Sequence, residues 1–118
     1  MHLQLIPGTA APALELTEPV STIADALSII SACYSTGTNK VLLRGEQLPA
    51  VFYELQTRFA GEFIQKLVNY RLAIACVFDN GQTYSERFLE YIGEAKNGRQ
   101  FRSFSNEAEA LRWLEAQP

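Results

Sequence analysis

Histidine occurs once in this 118-residue chain, at position 2, and cysteine only twice, at positions 33 and 76. A lone histidine beside the start methionine leaves no positioned base for a Ser-His or Cys-His nucleophile. Zinc sites need several Cys or His at short spacing, and none occur, so no metal is expected. Both cysteines sit among apolar neighbours far apart in sequence and read as buried free thiols rather than a disulfide. No apolar run is long enough to span a bilayer, and the first thirty residues lack a basic start followed by a sustained apolar stretch. The expectation is therefore no membrane and a cytoplasmic location.

Positive charge is also scarce: ten Lys and Arg against thirteen Asp and Glu give a net charge of −3. Residues 1–39 carry three acids and no base, 40–77 five bases and three acids, and 78–118 five bases and seven acids, or −3, +2 and −2. Phosphate-backbone binding by charge needs a concentrated basic face, so nucleic acid is not an expected partner. Glycine-rich phosphate loops are missing too. Gly37-Thr38-Asn39-Lys40 lacks the preceding glycine of a P-loop, and Gly61 lies inside a helical pattern. No cofactor is implied.

What the chain has is one complete strand, helix, strand unit between Lys40 and Phe78. Two short apolar runs, Lys40 to Gly45 and Leu72 to Phe78, flank a segment from Leu48 to Arg71 with helical spacing at Phe52, Leu55, Phe59, Phe63, Ile64 and Leu67. A connection of that length implies parallel strands joined by a crossover helix. Leu72 to Phe78 is nearly unbroken apolar and belongs at the sheet centre, covered on both sides. Upstream, His2 to Ile6 and Ala13 to Leu16 read as an antiparallel edge pair around a Pro/Gly-containing loop. From Ser21 a helix follows, with Ile23, Ala26, Leu27, Ile30, Cys33 and Tyr34 on one face, Thr22 and Asp25 at its start and Gly37 as its stop. Downstream, Asp79-Asn80-Gly81 turns the chain. Thr83 with Glu86 starts a helix lined by Phe88, Leu89, Ile92 and Ala95, which Asn97-Gly98 ends. Gln100 to Phe104 is the last strand, and Asn106 with Glu109 starts a closing helix bearing Leu111, Trp113 and Leu114. The expected fold is a single α/β domain of order ββαβαβαβα, with a mixed sheet of about five strands whose central strands are parallel.

The outer face of the long helix carries Glu54, Arg58, Glu62 and Lys66 at steps of four, pairs worth about 0.3 kcal/mol each. Gly61 interrupts that helix and predicts a bend or a close backbone contact. Polar turns that follow parallel strands, Arg44-Gly45-Glu46, Asp79-Asn80-Gly81 and Ser105-Asn106, stand where ligands of open α/β sheets bind. Asn69-Tyr70-Arg71 stands at the other end of the sheet. Candidate partner- or ligand-binding residues are accordingly Arg44, Glu46, Arg58, Lys66, Asn69, Arg71 and Asp79. The stripe Phe52, Phe59 and Phe63 reads as core.

The run Leu43-Arg44, Leu48-Pro49, Phe52, Leu55, Ala60-Gly61-Glu62, Gln65-Lys66, Asn69-Tyr70-Arg71 and Ala73-Ile74 is similar to a bacterial domain-of-unknown-function family, number 4180. The later Asn97-Gly98-Arg99-Gln100 and the run from Glu107 to Leu114 extend the likeness, which covers most of the chain from about Ser21. The element order also resembles the STAS domain of anti-sigma factor antagonists and its SpoIIAA-like relatives, phosphorylation-switched partner-binding modules. In those antagonists a switch serine follows the strand equivalent to Val41 to Leu43. Here Arg44-Gly45-Glu46-Gln47 occupies that loop without a hydroxyl. The leading expectation is a non-enzymatic module binding a protein partner or itself as a homodimer. The alternative is a small apolar or lipid ligand under the long helix, against Phe52, Phe59, Phe63 and Tyr70.

Overall fold

The computed structural model describes residues 1–78, 84–95 and 99–118. Five strands form one sheet in sequence order: β1 (Leu3–Leu5), β2 (Leu14–Leu16), β3 (Lys40–Arg44), β4 (Ala73–Val77) and β5 (Phe101–Phe104). β1 and β2 are antiparallel; every later pair is parallel. The α/β class, the five-strand mixed sheet and the element order all follow the sequence reading. β4 is an interior strand with Ala73 to Cys76 buried, one place in from the β5 edge rather than at the middle position, which β3 holds.

The strand order never reverses, so successive crossovers put their helices on the same face. Helices α1 (Asp25–Thr36), α2 (Ala50–Tyr53), α3 (Phe59–Asn69) and α4 (Glu86–Ala95) bury Ile29, Phe52, Phe63 and Phe88 against Val41, Leu43, Ile74 and Cys76. The alternate residues Leu42, Ala73 and Ala75 point the other way, onto Ala110 and Leu114 of α5 (Glu107–Ala116), as the period of two in a strand requires. Ala73 and Ala75 of β4 and Ala110 of α5 are the small residues of that contact.

Helix ends follow local chemistry. Gly37 adopts φ 75° and its N–H donates to the Cys33 carbonyl, closing α1. At the start of α1 the Asp25 carboxylate accepts from the Ser21 and Thr22 N–H groups, while Thr22 itself caps nothing. The Asn106 side chain accepts from the Glu109 N–H at 2.9 Å, the predicted start of α5. Thr83 and Asn97-Gly98 lie outside the described residues.

The long helix expected over Leu48 to Arg71 is instead two helices separated by a 3-10 turn, Leu55–Thr57. The Thr57 hydroxyl sits within 2.7 Å of the Val51 and Glu54 carbonyls and accepts from the Phe59 N–H at 3.2 Å, offering the backbone an alternative to helix. Arg58 then takes φ 63° before α3 begins. The four-step charge ladder is thereby broken, with only Glu62 and Lys66 on one helix. Gly61 falls in the first turn of α3 and nothing lies within 4 Å of a Cβ built there, so it marks neither a bend nor a close contact.

Cys33 and Cys76 are free and buried. Burial pushes the Cys33 thiol up to about 11 and the Cys76 thiol up as well. Both stay protonated at neutral pH, and the thiolate is the reactive species. We therefore expect a thiol reagent such as DTNB to label neither in the folded protein and two per chain in urea; rapid native labelling would contradict their placement.

Candidate functional site

The carboxyl ends of β3 to β5 were the first place to expect a ligand. An unreversed strand order, however, creates no switch point and hence no crevice of the kind that hosts dinucleotides there. The Arg44 guanidinium is held by Glu15 of β2 at 2.9 Å and Glu107 of α5 at 2.6 Å. Burial alone would lower its pKa, but the hydrogen bonds and charges of Glu107 and Glu15 outweigh this and raise it. Arg44 thus ties β2 and β3 to α5. Glu46 is exposed in the following 3-10 turn, and the Asn106 side chain is spent on its helix cap. Asp79 lies outside the described residues.

Beside that end the aromatic side chains pack as core. Phe52 meets Phe59, Phe78 and Phe88 at centroid distances of 6.5, 6.5 and 6.0 Å, and Phe59 stacks on Phe63 at 5.8 Å. The Tyr53 hydroxyl donates to the Gly45 carbonyl, and burial raises its pKa. Tyr70, the fourth residue of the expected apolar pocket, is exposed and belongs to another surface.

Arg58, just before α3, and Lys66 and Asn69 on it are exposed. Lys66 and Asn69 border a shallow hollow with Glu62 and Gln65, and the Gln65 amide donates to the Asn69 oxygen at 2.7 Å. Opposite charges share this hollow.

Arg71 is placed differently. Helix α3 ends with the Leu72 N–H donating to the Leu67 carbonyl and the Arg71 N–H to the Val68 carbonyl, the hydrogen-bond pattern of a Schellman motif. Its left-handed position, usually glycine, is Arg71 at φ 60°. The side chain borders an open cleft of about 830 Å³ at the amino ends of β3, β4 and β5, with Asn39, Arg99, Gln100, Arg102 and Trp113. Among the described residues that line it, three are arginines and none has an acidic side chain. The Arg102 guanidinium lies 5.5 Å from the centroid of the Trp113 ring. Behind the cleft Lys40, only 7% exposed, donates to the Gln117 carbonyl at 2.7 Å. Among the described residues, no ion pair engages Lys40, Arg71 or Arg99.

Strand register assembles this cluster. Lys40 pairs with Ala73 and Ile74 with Phe101, so residues just before β4 and β5 lie side by side. The Ala73 N–H donates to Asn39 and the Ile74 N–H to Gln100, fixing the floor. The sequence reading singled out Arg71 but missed Arg99, Arg102 and Trp113. The available signal was an arginine ahead of each of two consecutive parallel strands, which the topology must bring together.

No curated protein and no solved structure matches the chain. The family described as Domain of unknown function (DUF4180) matches it over residues 10–114, a span that includes Arg71, Arg99, Arg102 and Trp113, and the chain belongs to that family.

Proposed function

We propose that the chain is a non-enzymatic binding domain whose ligand bears concentrated negative charge and lodges in the arginine cleft. The observation that carries this reading is the pair Arg71 and Arg99, which no ion pair engages among the described residues, in a cleft whose described lining holds no acidic side chain, in a chain of net charge −3. The ends of α1, α3 and α5 lead into the residues of this cleft, and cations near helix C-termini contribute about 0.3–1 kcal/mol each. That gain does not explain Arg71, because a left-handed non-glycine residue costs roughly 1–2 kcal/mol. A guanidinium kept there against its backbone preference supports a role outside the fold. A protein partner along α3, the other reading, has exposed Arg58 and Lys66 in its favour, but its surface is shallow and mixes charges.

Calorimetric titration with pyrophosphate at low ionic strength tests this. The wild type is expected to bind saturably. Arg99→Ala and Arg71→Gly each weaken binding by about tenfold or more, the equivalent of roughly 1.4 kcal/mol. Arg71→Gly should hold or raise the melting temperature, because glycine suits its backbone. Absence of saturable binding, or unchanged affinity in both variants, would overturn the reading.

A further inference from the structure

A second cleft of about 410 Å³ adjoins the first: Asn39 and Leu72 line both. Its other walls include Ile30 and Tyr34 of α1 and Tyr70 at the end of α3. Tyr34 is 91% exposed and Tyr70 59%. Tyr70 and Arg71 are consecutive, yet the first borders the tyrosine cleft and the second the arginine cleft. The left-handed turn at Arg71 lies where they part. One surface thus joins flat aromatic rings to a cluster of guanidinium groups across two shared residues.

Resting on the anion reading, we infer that the natural ligand is nucleotide-like: one phosphate monoester group joined to a flat heteroaromatic ring. Its phosphate meets Arg71 and Arg99, and its ring lies between Tyr34 and Tyr70. A phosphate monoester carries up to two negative charges at neutral pH, and so matches several cations better than a single carboxylate does. Clefts of a few hundred Å³ are the size that encloses small organic ligands. Ring stacking on an aromatic side chain contributes on the scale of one base per tyrosine face. A long polyphosphate strand is disfavoured by the chain's overall negative charge.

The test titrates wild type and the Tyr34→Ala/Tyr70→Ala double variant with adenosine monophosphate, uridine monophosphate and inorganic phosphate. Both side chains are exposed, so the double variant should keep the wild-type circular dichroism. At least one nucleotide should bind the wild type about tenfold tighter than inorganic phosphate, a gain within the stacking range. In the double variant that advantage should vanish while phosphate affinity holds. Should both nucleotides bind no tighter than phosphate, or keep their advantage without the tyrosines, the nucleotide inference falls. If pyrophosphate still binds through Arg99 in that case, the anion site stands; if nothing binds saturably, both fall together.

Discussion

Phe63→Ala is expected to lower the free energy of unfolding by about 3–5 kcal/mol, a large share of the stability of a domain this size. The ring is fully buried and stacks on Phe59 with the planes 15° apart, and Phe59 in turn meets Phe52. The core cluster that holds it draws on α1, α2, α3 and the face of the sheet they cover, so no single element can move inward to fill the space without disturbing the others. Truncation therefore loses both transfer free energy and the contacts lining the void. Chemical denaturation of this variant beside Val51→Ala, at a partly exposed position of α2, isolates the burial effect. A loss below about 1 kcal/mol for Phe63→Ala would show that the ring does not sit in a closed core.

Arg44→Ala should cost about 2 kcal/mol, as charged hydrogen bonds with partly buried partners do. The Glu15 side chain is 14% exposed and would be left without its cation, whereas Glu107, 47% exposed, can turn to solvent. The asymmetry sets the companion result: Glu107→Ala should cost less than about 1 kcal/mol, in the range of an exposed ion pair. Because α5 is, among the described residues, the helix that covers its side of the sheet by itself, hydrogen exchange in residues 107–116 should quicken in Arg44→Ala before that of α1 or α3. Equal losses in both variants, with no localised exchange, would remove Arg44 from the role of tying α5 to β2 and β3.

Much of this architecture was legible because its period was unbroken. The run Leu72 to Phe78 could only be a strand covered on both faces, and Gly37 could only end a helix whose last turn it follows. The division between α2 and α3 was hidden for a physical reason. Phe52, Phe59 and Phe63 keep helical spacing through the 3-10 turn, since both helices must face the same sheet, and the break resides in the Thr57 hydroxyl and the Arg58 backbone. Tyr34 was expected on the inner face of α1. Ala26, Ile29 and Cys33 define that face, and the next residue on from Cys33 is rotated by about 100°. Leu89 departs similarly from the buried side of α4, where Phe88 holds the inward position.

The site was less legible than the fold. Polar turns at the carboxyl ends of parallel strands drew attention by analogy with reversing sheets, and only the strand order removes that analogy. Arg71 stood out as a polar helix end. Its neighbours Arg99 and Arg102, twenty-eight and thirty-one positions later, join it only once β4 and β5 are known to be parallel and in register. Trp113 reads as an ordinary helix aromatic until α5 is seen to close the cleft from the far side of the sheet.

The most direct test is to follow the arginine Nε–H signals by nuclear magnetic resonance while pyrophosphate is added at low salt. Signals of Arg71, Arg99 and Arg102 should move together along one saturable curve, with Arg44 and Arg58 unmoved. Shifts spread evenly over every arginine, or concentrated at Arg44 or Arg58, would contradict a defined anion site at the amino ends of the strands.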